Sequence, residues 1–512
     1  MDYGILSVLP PLIAIVLALV MKETIISLFM GVWLGATIMN SWNPVLGFVR
    51  SFTDVIVPQI ADSWNATMLV LFLFSGGFVQ LMKASGAAYA VGEFASKKIS
   101  SRRNALTITW LSSFAFFYTE PCLLQGVIMR PMMDKFRVSR VKFAYMLDSM
   151  GCSVASISPI NDYAPFMVGL ISAQFAILGI GDSPWGAYFG MIPFNLYGMF
   201  AMIACLFVIR TGLDIGPMYK AEMRAIKTGK LMGDDDVPIV ADEKIEIEDS
   251  KISLLNFIAP MVGLLGTIFL VVFWTGDIAT NGFRGSFLNG DMLLAMMLGY
   301  LVASIVAAAV GIGKKIFNFR EAIDHWVGGV KNIMIVPIIV VLAWSIGSVA
   351  GDMNIRGYLV GLVEGSLSPG LVPAIIFAIG AIIAFSTGSS WGTWTIMMPI
   401  AIPMAHTLGV SMTLTIGAVI SGGLFGDHCS PISDTTIMSS TGAACDHIEH
   451  VKTQLPYALI TAVAAFIGFI VGGLSGVPLL SIPVAAVIIA GTLYVLHKRT
   501  EKIADVHFPT EA

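Results

Sequence analysis

Charged residues are scarce in this sequence. Asp, Glu, Lys and Arg together make up 12% of its 512 residues, whereas hydrophobic residues make up 56%. Soluble domains contain about 25% charged residues, and a soluble fold could not hide this much apolar surface. The sequence instead contains repeated apolar stretches of about 20 residues, the length at which an α-helix crosses a bilayer. It therefore predicts an all-α polytopic membrane protein and excludes a soluble fold.

Several chemical signals are also missing. The five cysteines (Cys122, Cys152, Cys205, Cys429 and Cys445) form no CxxC pair, so we interpret them as packing residues and expect no disulfide or thiolate site. The net charge of -4 indicates no nucleic-acid partner. No nucleophile elbow or His-Glu-x-x-His motif is present, so we expect neither an enzyme nor a cofactor. The N-terminal apolar stretch lacks a basic start, which favours a retained first span over a signal peptide.

The few Lys and Arg residues are concentrated in a small number of loops. The positive-inside rule assigns such loops to the cytoplasm. They are residues 97–103, 130–142, 210–251, 314–320 and 446–452 and the C-terminus. This assignment predicts eleven crossings of a plasma (inner) membrane and two re-entrant hairpins, with the N-terminus outside and the C-terminus inside. Two amphipathic helices, at 45–62 and 317–330, are expected to lie in the interface.

Two apolar segments are predicted to enter the membrane and turn back. Residues 105–129 have basic loops on both sides, which one crossing cannot place in the same compartment. Residues 373–403 occupy the matching position in the second half. Such hairpins need a non-helical tip that is buried in protein or lines a wet cavity. We predict these tips at 118–121 and 386–393.

Two further apolar segments are interrupted by polar residues and proline. In residues 143–178 the interruption is SVASISPINDYAP, where Pro159 and Pro165 disfavour a continuous helix. In residues 412–440 it is SPISD. We predict two broken helices, each with an unwound polar stretch within the membrane.

The two halves of the chain share a sequence offset. Adding 272 carries residues 158–162, SPIND, to residues 430–434, SPISD, and Gly151 to Gly423. Five crossings per half would make the two repeats inverted. The predicted division is residues 1–210 (scaffold spans 1–83, transport elements 105–180), a cytoplasmic linker at 211–251, residues 252–475 (scaffold spans 252–350, transport elements 371–440), and an extra span and tail at 476–512.

Ionisable side chains at membrane depth cost about 2.5–3.5 kcal/mol each and mark transport paths. We therefore predict an ion site at the two breaks, with Na+ at Asp162 and Asp434; the other ligands would be Ser158, Asn161, Ser430, Ser433 and Thr435. In the alternative reading, the aspartates only cap half-helices.

Other polar residues in the transport elements receive different roles. Glu120, Asp427 and His428 are candidates for proton coupling, although Asp427 and His428 could form a satisfied buried pair. Thr119, Ser389, Ser390, Trp391 and Thr393 are candidate substrate-binding residues at the hairpin tips. Asp148 fits a functional or a structural role equally well. The run 446–450, DHIEH, resembles a metal site in composition, but we interpret it as a helix start.

The segment 426–459, GDHCSPISDTTIMSSTGAACDHIEHVKTQLPYAL, resembles the signature region of NhaC-type sodium/proton antiporters. This resemblance extends over most of the chain. It implies secondary antiport of Na+ and H+, a homodimer in the lipid bilayer, and an elevator-type movement of the transport elements against a scaffold.

The resemblance does not fix the substrate. The alternative is a Na+- or H+-coupled exchanger of an organic solute, such as a carboxylate, an amino acid or a drug like tetracycline. A channel or a membrane-embedded hydrolase fits the sequence less well.

Overall fold

A computed structural model describes residues 3–21, 24–96, 101–116, 122–161, 163–238, 251–354, 358, 368–431 and 433–507. Within these ranges the chain forms helices and no strands. The helices are α1 Leu9–Met21, α2 Thr24–Met39, α3 Pro44–Arg50, α4 Val57–Ala61, α5 Ser63–Ala84, α6 Ala87–Ser96, α7 Arg102–Ser113, α8 Cys122–Lys135, α9 Arg140–Ile157, α10 Tyr163–Leu178, α11 Pro184–Met191, α12 Leu196–Thr211, α13 Gly216–Thr228, α14 Leu255–Thr275, α15 Ile278–Asn289, α16 Met292–Gly313, α17 Phe319–Ile333, α18 Ile335–Asp352, α19 Val372–Thr387, α20 Ser390–Leu408, α21 Met412–Cys429, α22 Asp434–Ala443, α23 His447–Leu474 and α24 Ser481–His507.

Seven helical segments of the described chain are long and apolar enough to cross a membrane, or nine if each of two bent pairs is one span. The seven are Ser63–Ala84, Leu255–Thr275, Met292–Gly313, Phe319–Asp352, Pro369–Thr387, His447–Leu474 and Pro478–Thr500. The predicted all-α, multi-pass fold is therefore confirmed. The count of eleven crossings, the five-span repeats and the orientation of the termini stay predictions.

The stretch predicted to lie in the interface is helical and turns sharply away from the preceding span. Ile25–Met39 and Pro44–Ala61 meet at 117°. Asn43 caps the second segment by accepting a hydrogen bond from the Leu46 N–H at 3.0 Å. Phe48 is 46% exposed on it. An exposed apolar face on a helix turned across the span direction is typical of a helix in the membrane interface.

The second predicted hairpin has a break at its predicted tip, while its re-entry into the membrane stays a prediction. Helix α19 ends at Thr387, Gly388 follows with a φ of +68°, and Ser389 caps α20 by accepting from the Gly392 N–H at 3.2 Å. Glycine suits this left-handed backbone because it has no Cβ. Helices α19 and α20 pack against each other. In the first hairpin, the predicted tip at 118–121 lies outside the described residues, between Phe114–Phe116 and α8.

Helices α9 and α21 begin and end at positions related by the same offset of 272, from Arg140 and Met412 to Ile157 and Cys429. Local chemistry explains both ends. Ser139 and Ser411 cap the N-termini through their hydroxyls. At the C-termini, Ser158 and Ser430 have extended ψ values of 126° and 131°, as expected for residues that precede proline.

The linker begins with a docked helix, α13. Its Glu222 is buried and accepts from the Ser139 N–H at 2.9 Å. It also pairs with Arg102 and, at 3.2 Å, with Lys142. Lys142 donates to Asp214 at 2.8 Å. The start of the linker is therefore fixed to the beginnings of α7 and α9 by a buried group of charges.

Candidate functional site

The carboxylate of Asp427 is the centre of a polar cluster in the second half of the chain. Asp427 is 3% exposed and lies near the end of α21. The Ser390 hydroxyl donates to its Oδ2 at 2.6 Å, and the Ser433 hydroxyl donates to its Oδ1 at 2.5 Å. The Thr435 hydroxyl lies 3.4 Å from Oδ1, and the Cys152 thiol lies 3.8 Å from Oδ2.

The two serine donors come from the N-terminal ends of separate helices, and the cysteine comes from a third helix. Ser390 is the first residue of α20, Ser433 is the N-cap of α22, and Cys152 lies on α9. The N-terminus of a helix carries a partial positive charge, which favours a nearby negative group. The break before α20 and the break before α22 therefore each bring a positive helix end and a hydroxyl to the same buried carboxylate.

A cavity of about 380 Å³ lies beside this cluster. Its described lining residues come from the second hairpin tip and the second broken helix. They are Gly388, Ser389, Ser390, Trp391, Asp427, Asp434, Thr435, Ile437 and Met438. Two carboxylates and several hydroxyls thus face a space next to broken helices, and the coupling-ion sites of secondary transporters are formed at such breaks.

Asp434 is the exposed member of this carboxylate pair. It is the first residue of α22 and lines the cavity, whereas Ser433 makes the N-cap hydrogen bond to the Thr435 N–H at 3.2 Å. The alternative reading, in which the aspartate itself caps the half-helix, does not apply to Asp434 because Ser433 occupies that position. Ser430 is buried and donates to the Phe385 carbonyl at 2.8 Å, which ties the break to α19.

The first break shows more structural hydrogen bonding. The Asn161 side chain accepts from the Tyr163 N–H at 3.0 Å and donates to the Ala155 carbonyl at 2.7 Å. It therefore closes the end of α9 and starts α10. The Ser158 carbonyl accepts from the Tyr188 hydroxyl at 3.0 Å. Three predicted site residues, Thr119, Glu120 and Asp162, lie outside the described residues.

His428 does not face Asp427. Its Nε2 lies 3.0 Å from the Ser149 hydroxyl, and its Nδ1 lies 2.6 Å from the Tyr197 hydroxyl. Successive residues of an α-helix point in different directions because 3.6 residues make one turn. The two adjacent residues therefore belong to different clusters, and His428 joins α21 to α9 and α12.

The predicted tip residues have distinct neighbours. Trp391 lines the cavity and contacts Tyr163 and Phe166 edge-on, with ring centroids 4.7 and 4.5 Å apart. Thr393 is buried and donates to the Ser389 carbonyl at 2.9 Å. The structure therefore brings Ser389, Ser390 and Trp391 to the cavity, while Thr393 supports the turn behind it.

Sequence reasoning missed a second buried polar cluster. The Gln454 side chain donates to the Asp148 Oδ2 at 2.7 Å and also to the His428 carbonyl. The His450 Nε2 lies 2.8 Å from the Gln454 Oε1. The signal in the sequence was Gln454, a glutamine just before the apolar stretch 456–473. As predicted, Asp446 starts a helix, since it caps α23 by accepting from the Glu449 N–H at 2.9 Å.

Comparison with known proteins places the chain in a family. The family model described as "Na+/H+ antiporter family" matches residues 163–474. The chain belongs to the Na+/H+ antiporter family. The resemblance to sodium/proton antiporters in the sequence is thereby confirmed, and the chain is a multi-pass secondary antiporter, not an enzyme.

The relatives of this antiporter align with different fractions of its sequence. An uncharacterised protein of Haemophilus influenzae is 33% identical over 96% of this chain and 95% of its own length. The malate-2H(+)/Na(+)-lactate antiporter of Bacillus subtilis is 30% identical over 36% of this chain and 40% of its own length. Among solved structures, the Alcanivorax borkumensis YdaH transporter superposes with a TM-score of 0.63 at 16% identity, covering 85% of this chain and 90% of that one. This last likeness concerns the fold alone.

Proposed function

We propose that this antiporter exchanges Na+ for H+ at the Asp427 carboxylate. The observation that carries the proposal is the position of Asp427, which is buried, lines the cavity and accepts hydrogen bonds from Ser390 and Ser433. The ligands of Na+ would be oxygen atoms of Asp427, Ser433, Thr435 and Asp434. Ser430 would position the break, and the first break with Ser158, Asn161 and Asp162 would supply further ligands.

Exchange follows from the cost of a buried charge. An ionised carboxylate away from water is unfavourable unless a partner neutralises it. Either a proton or a sodium ion can neutralise Asp427, so the carboxylate needs only one of the two at a time. A carrier that changes its access only with a neutralised carboxylate would move one ion inward and the other outward. The elevator movement and the homodimer implied by the resemblance are parts of this proposal.

The test is proton movement in proteoliposomes that contain a pH-sensitive dye. Starting from an acidic interior, external Na+ should drive proton exit from vesicles with the wild-type protein. Asp427→Asn keeps the size of the side chain but can neither ionise nor hold the exchanged proton, so we expect no sodium-dependent proton exit.

The matched control is Asp291→Asn. Asp291 caps α16 by accepting from the Leu294 N–H at 2.9 Å, and asparagine caps a helix equally well. This variant should exchange at the wild-type rate. Sodium-dependent proton exit at the normal rate in Asp427→Asn would refute the assignment of Asp427.

A further inference from the structure

The cavity beside Asp427 is larger than a sodium ion requires. Its volume is about 380 Å³, whereas a water molecule occupies about 30 Å³ of liquid. Pockets for small organic molecules have volumes of about 300–1,000 Å³. The cavity therefore has the size of a site for a small organic solute.

The charge of the cavity selects among such solutes. Asp427 and Asp434 line it, and its described lining contains no Lys, Arg or His. A solute with a carboxylate group would meet two like charges without a basic side chain. The partial positive charge of the two helix N-termini, about half a unit charge each, offsets them only in part. A solute with a positive charge would neutralise the same carboxylates that Na+ neutralises.

Another part of the cavity lining is apolar and aromatic. Trp391, Ile437 and Met438 line the cavity together. The indole of Trp391 is held by edge contacts with Tyr163 and Phe166, so it is a fixed surface. Tryptophan is the best aromatic partner for a cation, and aromatic surfaces recognise quaternary ammonium groups.

We propose that this cavity also accepts a small organic cation, with a positively charged nitrogen and a short apolar body, in place of Na+. The nitrogen would be neutralised by Asp427 and Asp434, and the apolar body would lie against Trp391. The inference rests on the proposed function, because the organic cation would exchange with protons at the same carboxylate.

Choline is the probe for this proposal. A quaternary ammonium ion has no proton to lose, so it cannot cross the bilayer as a neutral base and disturb the pH gradient by itself. In sodium-free proteoliposomes with an acidic interior, external choline should drive saturable proton exit. Choline should also raise the sodium concentration that gives half-maximal exchange. L-malate and L-lactate, added as potassium salts, should do neither.

Trp391→Leu tests the aromatic wall. We expect the half-saturating choline concentration to rise about 3- to 30-fold, the range that a cation–π contact supplies, and to rise by a larger factor than that for Na+. The control is Trp274→Leu, since Trp274 is 73% exposed and does not line the cavity. It should leave both values unchanged.

The outcomes separate this inference from the proposed function. Proton exit driven by Na+ but neither driven nor inhibited by choline would overturn the organic-cation site and leave sodium/proton exchange intact. Proton exit driven by malate or lactate and not by choline would also overturn it. No proton exit with any added cation would overturn the proposed exchange itself.

Discussion

Asp427 and Asp434 line the same cavity, but their surroundings differ. Asp427 is buried within hydrogen-bonding distance of hydroxyls from α20 and α22, while Asp434 is exposed at the start of α22. The free energy of a buried carboxylate with fixed donors depends strongly on whether a proton or a cation neutralises it. For an exposed carboxylate this dependence is weaker. At the residue scale, the proposed exchange therefore depends mainly on Asp427 and its donors.

Ser390→Ala tests one of these donors. Without the 2.6 Å hydrogen bond, the ionised form of Asp427 loses a charge-assisted contact worth about 1.5–3 kcal/mol. Protons should then compete better with Na+, and the half-saturating sodium concentration should rise about tenfold or more at a fixed pH. Sodium titrations of proton exit at two pH values measure this change.

Ser439→Ala is the matched control. Ser439 is a buried serine on α22 whose hydroxyl has no hydrogen-bond partner among the described residues. Its removal should leave the half-saturating sodium concentration unchanged. An unchanged sodium requirement in Ser390→Ala as well would contradict a role for this donor.

Residue types were easier to predict than their roles. The sequence indicates a polar cluster in the second half because Asp427, Ser430 and Asp434 interrupt apolar residues. It did not reveal that Asp427 is the buried centre, because the 272 offset pairs Asp434 with Asp162 and leaves Asp427 opposite Ala155. Which side chain faces a cavity depends on helix rotation and on contacts between distant segments. The assignment of site residues stays a prediction.

At the scale of elements, the docked helix α13 is held by a group of buried charges. Burial alone would raise the pKa of Glu222, but the charges of Lys142 and Arg102 outweigh it and hold this pKa below its usual value. Breaking a buried ion pair by removing one partner costs about 3–5 kcal/mol, since it leaves a charge without compensation. Glu222 is therefore expected to fix the start of the linker to α7 and α9.

Glu222→Gln should lower the melting temperature of the purified protein. Because the pKa of Glu222 is lowered on folding, its stabilising contribution is present at neutral pH and is lost as the pH falls through the lowered pKa. The difference from wild type should therefore be largest near neutral pH and shrink below the usual glutamate value of about 4.3. Melting curves across this pH range measure it.

The comparison variant for α13 is Asp234→Asn. Asp234 pairs with Lys230 at 2.7 Å, but its side chain is 78% exposed, and exposed pairs contribute little. Its melting temperature should match wild type at every pH. If Glu222→Gln also melted like wild type at neutral pH, the charge group would not stabilise the docked helix.

The structure agrees with the sequence predictions where local chemistry determines the ends of the helices. The ends of α9 and α21 follow from Ser caps and Ser-Pro steps, which act within a few residues. The sequence predicts the linker at 211–251, but it does not predict the docking of α13. The contacts of Glu222 with Arg102 and Ser139 join segments far apart in sequence, and no local pattern reveals them.

At the scale of the whole molecule, close contacts join the predicted transport elements of the two halves. A Cβ added to Gly126 on α8 would lie 2.5 Å from the Cα of Gly442 on α22. The Arg130 Nε donates to the Gly442 carbonyl at 3.1 Å, and the Arg140 Nη1 donates to the Ala444 carbonyl at 3.0 Å. These contacts support the proposal that hairpins and broken helices move as one body.

Gly126→Ala should loosen this junction. The added methyl group meets backbone that cannot move aside cheaply, and overpacking of this kind costs about 1–3 kcal/mol. We expect a lower melting temperature and slower sodium-driven proton exit. Gly266→Ala on α14 is the control, because a Cβ there meets nothing within 4 Å and alanine favours a helix. Wild-type stability in Gly126→Ala would argue against a tight junction.

The Ser-Pro steps at the two breaks have a consequence for turnover. The prolines at 159 and 431 hold Ser158 and Ser430 in extended backbone, so α9 and α21 cannot lengthen across the breaks when the cavity is empty. Binding of an ion therefore does not include the free-energy cost of unwinding a helix. For the same set of ligands, such a preformed site binds its ion more tightly than a site that the ion must first unwind.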